Sequence, residues 1–88
     1  MSPEVSIVTP AYNAEPYLRE TIDSVLGQSF GDFEWIVVDD RSSDATGEIL
    51  RELAEKDSRA CAIRLQKNVG PMQARNAALE KASGRFIA

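Results

Sequence analysis

Val5-Ser-Ile-Val-Thr-Pro-Ala-Tyr-Asn13 and Trp35-Ile-Val-Val-Asp-Asp-Arg-Ser-Ser-Asp44 are two apolar runs that each end abruptly in polar residues. The first opens as a β-branched strand, Val5 to Thr9. The second is apolar from Phe33 to Val38 apart from Glu34, the pattern of a strand buried on both faces. Between them Leu18, Ile22, Val25 and Leu26 recur at i, i+4, i+7 and i+8, one face of a helix. Strand, helix and strand in that order predict two parallel strands joined by a right-handed crossover. In an open parallel sheet the carboxyl ends of neighbouring strands border one crevice, and ligands bind there. Two polar strand ends therefore predict one site, which holds the Tyr12 ring, the Asn13 amide and the carboxylates of Asp39 and Asp40.

The pattern continues outward from this unit. Pro16 suits the first turn of the first helix, with Asn13 as its cap. The stretch from Gly27 to Asp32 breaks the period. Ser43 or Asp44 can cap a second helix whose stripe is Ile49, Leu50 and Leu53. Cys61 to Leu65 reads as a third strand. Asn68-Val-Gly-Pro71 is a turn that opens a third helix running to about Ala82, which Ser83-Gly84 ends. Arg85-Phe-Ile-Ala88 begins a fourth strand. The expected fold is α/β, a Rossmann-like three-layer α/β/α arrangement with a parallel sheet of order 3-2-1-4. A strand normally runs about 5–6 residues, so residues 1–88 are expected to form the front part of a larger domain. In that arrangement a short fourth strand leaves the edge of strand one largely open, which predicts homodimerisation or strand exchange there.

Composition narrows the function. The 88 residues suffice for one domain, and folding at this size buries roughly 60–65% of the extended chain's surface. Ten basic against 14 acidic residues, with no Lys/Arg cluster, argue against a nucleic-acid partner. The chain has no histidine, which removes His-based zinc sites and the commonest general base. Cys61, the single cysteine, allows no internal disulfide and reads as a small buried hydrophobe. No apolar run approaches the ~20 residues that span a bilayer, and Met1-Ser-Pro-Glu4 is not a signal peptide. The expected location is the cytoplasm, or the cytoplasmic face of a membrane in a longer parent protein.

Each polar residue has a chemical reading and a structural one. Tyr12, two residues after Pro10, either stacks on a base or sugar or packs over the end of the sheet. Asp39 and Asp40 either accept from a base N–H and ribose hydroxyls, or help to hold a cation, or simply cap the next helix. They point to opposite sides of a strand end, so their roles should differ. The third helix is expected to turn Met72, Ala78, Leu79 and Ala82 inward, with Arg75 among them. An arginine there is costly unless paired. It would therefore meet Asp39 or Asp40, or a ligand phosphate.

No G-x-G-x-x-G or Walker sequence follows either strand, and Glu15 would repel a phosphate at the first helix. This disfavours a Rossmann dinucleotide site and a P-loop. A receiver-like signalling module shares the sheet, but no suitable Lys ends strand three or four. A non-catalytic assembly fragment is a third reading.

The series of motifs resembles the amino-terminal, nucleotide-binding portion of family-two glycosyltransferases of the GT-A fold. The matching stretches are Val5 to Asn13, Leu18 with Ser24 to Phe30, Phe33 to Thr46, Asn68-Val-Gly70, Ala74-Arg-Asn-Ala77 and Ala82 to Ile87. The resemblance implies transfer of a sugar from a nucleotide-sugar donor, often a UDP-sugar, to an acceptor hydroxyl with inversion. It implies that Pro10 and Tyr12 line the base pocket and that Asp40 accepts from the base N–H. Asp39 would support the loop or the ribose, and Arg75 would lie near the base or diphosphate. The family uses a divalent cation, Mg2+ or Mn2+, held by an Asp-x-Asp motif that would lie beyond Ala88. No catalytic or metal residue is therefore expected within these 88 residues, and the isolated chain is expected to be inactive. Arg41 stands where the family more often has Gly or Asn.

Overall fold

The computed structural model describes residues 3–27 and 31–88. It contains β1 (Val5–Ala11), α1 (Glu15–Leu26), β2 (Phe33–Asp39), α2 (Thr46–Lys56), β3 (Ala60–Arg64), α3 (Pro71–Lys81) and β4 (Phe86–Ile87). The expected break from Gly27 to Asp32 lies partly outside the described residues. All pairings are parallel, in the order β3-β2-β1-β4, the arrangement read from the sequence.

Alternation along the strands sorts the core into two faces. Phe33, Trp35 and Val37 face α1 and α2 with Leu18, Ile49, Leu50 and Leu53. Val8, Ile36 and Val38 face α3 through Ala74 and Ala78. Trp35 is wholly buried, and its Nε1–H donates to Thr9 Oγ1 at 3.0 Å, so its one polar atom is satisfied.

β1 runs two residues further than expected, through Pro10 to Ala11. The Val8 amide points toward β4 and donates to the Ala88 carbonyl. Pro10, two residues on, has the same orientation, so its missing N–H costs no bond to β2. The edge of β1 is less open than expected. Bonds from Phe86 to Glu4, from Ala88 to Ser6 and from Val8 to Ala88 cover it as far as Val8.

Two expectations about packing are corrected. α3 buries Ala74 and Ala78, while Met72 is 77% exposed and Leu79 and Arg75 face outward. Small side chains at i and i+4 let the helix sit close on β1 and β2, and the larger apolar residues are turned away. Cys61 is also exposed rather than buried. It neighbours Ile36 in register on the α3 side of the sheet, but α3 packs on β1 and β2, and β3 forms the edge.

Candidate functional site

The ends of β1 and β2 are joined by backbone. Ala11 is in register with Asp39, and the Asp40 amide donates to the Ala11 carbonyl at 2.8 Å. Tyr12, the next residue, is 51% exposed. A half-exposed phenol thus begins where the carboxylate pair begins.

The two carboxylates diverge, as alternation demands. Both residues are 2% exposed. Asp40 turns to the loop before α3. Its Oδ1 accepts the Val69 amide at 2.8 Å, and its Oδ2 accepts the Gly70 amide at 2.9 Å and Asn68 Nδ2 at 3.2 Å. One lone pair on Oδ1 is left for a further donor. The sequence reading did not single out Asn68, Val69 or Gly70 as partners of Asp40. The signal was Gly70, whose φ of +94° suits a loop that must turn two successive amides onto one acceptor.

Asp39 turns to the α2 side. Its Oδ1 accepts the Ser42 amide at 2.9 Å, while Oδ2 is buried without a hydrogen bond. Arg64 Nε lies 3.6 Å from Oδ2, within ion-pair range but beyond a good hydrogen bond. Asp39 and Arg64 are among the residues that line a cavity of about 350 Å3 between α2 and β3. That cavity contains none of Pro10, Tyr12, Asn13, Asp40 or Arg75.

Arg75 meets neither aspartate. Asp40 is engaged by the 68–70 loop and Asp39 by Arg64. Arg75 is exposed and stands in no ion pair among the described residues. The expectation of a buried, paired Arg75 is corrected, because the helix is rotated so that its alanines face the sheet. Arg75 instead stands free in the second turn of α3, whose amino end Gly70 ties to Asp40.

Asn13 does not cap α1; the cap position is Ala14, with no side-chain cap bond. Asn13 adopts φ +49°, its amide donates to Ser42 Oγ at 2.9 Å, and its Oδ1 accepts the Ser43 amide at 2.8 Å. The Oδ1 of this exposed residue thus ties the β1 loop to the β2 loop. The amino ends of α1 and α2 are tied in the same way. Ala14 N–H donates to Thr46 Oγ1, Glu15 N–H to Asp44 Oδ2 and Ala45 N–H to Glu15 Oε1. Asp44 also accepts the Thr46 hydroxyl and amide, and the hydroxyl bond foremost holds its carboxyl below the usual range. These amides have partners and are not open to an anion.

The carboxylates present do not fit a cation site. Asp39 faces a guanidinium, Asp40 already accepts three donors from residues 68–70, and no group of three or more His, Cys, Asp or Glu side chains is arranged for a metal among the described residues. No helix among them is long and apolar enough to cross a membrane.

Comparison with known proteins agrees with this architecture. The model of Glycosyl transferase family 2 matches residues 6–88. The TuaG protein of Bacillus subtilis (strain 168) is 46% identical over 86 residues. The match covers 98% of this chain and 34% of TuaG, so the chain spans about a third of that relative's length. The crystal structure of S. aureus TarS 1-349 in complex with UDP-GlcNAc superposes with a TM-score of 0.87 at 37% identity, covering 96% of this chain and 25% of that one. The mannosyltransferase PcManGT of Pyrobaculum calidifontis, in complex with GDP-Man and Mn2+, gives a TM-score of 0.87 at 28% identity, covering 99% and 26%.

Proposed function

The chain belongs to glycosyl transferase family 2, and from that premise we propose that its sheet-end cleft receives the nucleotide of a UDP-sugar for an inverting transfer to an acceptor hydroxyl. Family membership sets aside the receiver-like reading. The observation that carries the proposal is the 2.8 Å bond from the Asp40 amide to the Ala11 carbonyl. It brings a half-exposed aromatic ring and a carboxylate with one unused lone pair to the same sheet end.

In this reading Tyr12 stacks on the base beside Pro10, and Asp40 accepts the base N–H on Oδ1. The free guanidinium of Arg75 meets the base or the diphosphate. Asp39 supports the loop through Ser42, and Asn13, exposed beside Tyr12, keeps its Nδ2 for the nucleotide. The relative with GDP-Man holds Mn2+; a divalent cation at this site would need ligands other than Asp39 and Asp40. The 88 residues alone are therefore expected to bind nucleotide and not to transfer sugar.

Calorimetric titration of the chain with UDP tests the proposal. Saturable binding is expected, and Tyr12→Ala should weaken it about 10-fold, the scale of one base–aromatic stack. Arg75→Ala should weaken UDP binding; a loss shared by uridine assigns the guanidinium to the base, and a loss confined to UDP assigns it to the diphosphate. The absence of saturable UDP binding, or equal affinity in Tyr12→Ala, would overturn the reading.

A further inference from the structure

We propose that Arg64 and Gly47 are positioning residues, which hold the first carboxylate of the pair so that it sets the backbone around Tyr12. The assignment to ligand binding rests on the nucleotide site proposed above; the structural linkage does not.

The linkage begins at the edge strand. Arg64 is the register partner of Asp39, so the two side chains share one face of the sheet. Arg64 Nε is the cation nearest the buried Oδ2, at 3.6 Å. A buried carboxylate without such a partner would turn toward water. Gly47 closes the other side. A Cβ at that position would meet Asp39 Oδ2 at 2.8 Å and the Arg64 guanidinium carbon at 3.8 Å. Glycine within a helix costs about 1 kcal/mol relative to alanine, and here the space it leaves is taken by the carboxylate.

From Asp39 the linkage runs to the cleft. Oδ1 accepts the Ser42 amide, Ser42 Oγ accepts the Asn13 amide, and Asn13 Oδ1 accepts the Ser43 amide. Asn13 is thereby held in a left-handed conformation directly after Tyr12. If Oδ2 loses Arg64, or is pushed by a Cβ at position 47, Oδ1 leaves the Ser42 amide and the restraint on Asn13 weakens.

Residue-resolved amide hydrogen exchange on the unliganded chain, with UDP titration alongside, tests this. Arg64→Met should accelerate exchange at Ser42 and Asn13 about 10-fold, as local opening does, and leave the strand amides of β1 unchanged. Gly47→Ala should do the same although it favours helix. Arg64→Lys, which keeps a cation, should restore protection. UDP affinity should fall about 3-fold or more in Arg64→Met and Gly47→Ala and recover in Arg64→Lys, the size of a modest coupling between sites. Unchanged exchange at Ser42 and Asn13, or acceleration spread evenly over the sheet, would overturn the proposal. If the wild-type chain fails to bind UDP, the nucleotide reading falls, and the exchange measurement still decides the linkage.

Discussion

The amide of Gly70 donates to Asp40 Oδ2 at 2.9 Å, so the end of β2 is fastened to the turn that launches α3. Three donors from residues 68–70 converge on this one carboxylate. Asp40→Ala would strand the partly buried Val69 and Gly70 amides, at a cost toward the lower end of the roughly 1–3 kcal/mol for unmet buried donors. Asp40→Asn should cost less, because one of its two terminal atoms still accepts. Urea denaturation of the two variants should rank them in that order. Equal stability of Asp40→Ala and wild type would refute it.

Thr9 offers a separable test of the core. Its hydroxyl is the acceptor for the buried Trp35 indole N–H. Thr9→Val keeps shape and removes the acceptor, so it should destabilise by about 1–2 kcal/mol. Trp35 is wholly buried on the α1–α2 face. Its emission should therefore report unfolding faithfully and respond little to UDP, which makes calorimetry the better measure of binding.

Periodicity made the fold legible. Strand and helix faces that bury branched residues, such as Ile36 and Leu53, announce themselves. The packing of α3 was hidden because Ala74 and Ala78 contribute closeness rather than apolar bulk, and Met72 and Leu79 outweigh them in any reading of hydrophobicity. Cys61 was hidden because its surroundings in sequence say nothing of whether a helix covers the edge strand. At the site, the divergence of Asp39 and Asp40 followed from strand alternation. The amide partners of Asp40 and the Arg64–Asp39 pair were not legible, since both depend on which loops the sheet order brings together.

Arg41 sits at φ +59°, in the left-handed region that residues with a Cβ adopt at a cost of about 1–2 kcal/mol. Asparagine tolerates that region better, and glycine enters it freely at an entropic cost. Arg41→Asn is therefore expected to stabilise the chain by up to about 1 kcal/mol, and Arg41→Gly by a similar or smaller amount. A higher thermal midpoint for Arg41→Asn checks this; a lower one would mean that the arginine side chain contributes more than its backbone costs.

Glu34 contributes to the acid limb of stability at the opposite end of the sheet. Partial burial raises its pKa, but the Ser6 hydroxyl and the backbone and hydroxyl of Ser83, with the Gly84 backbone, outweigh that and hold the carboxyl below its ordinary value. The same contacts tie β1 and β2 to the corner before β4: Ser6 and Ser83 donate to Glu34 Oε2, and the Gly84 amide donates to Ser6 Oγ. A depressed folded value means that the unfolded state takes up the proton first. The stabilisation is then complete above the unfolded value of about 4.3 and is lost as pH falls through the lower folded one. Glu34→Gln should consequently be less stable than wild type near neutral pH, with the gap closing as pH falls below the unfolded value and through the lower folded one. Denaturant midpoints for both proteins across that range provide the measurement. A gap that stays constant with pH would show that shape at residue 34, rather than charge, secures the corner.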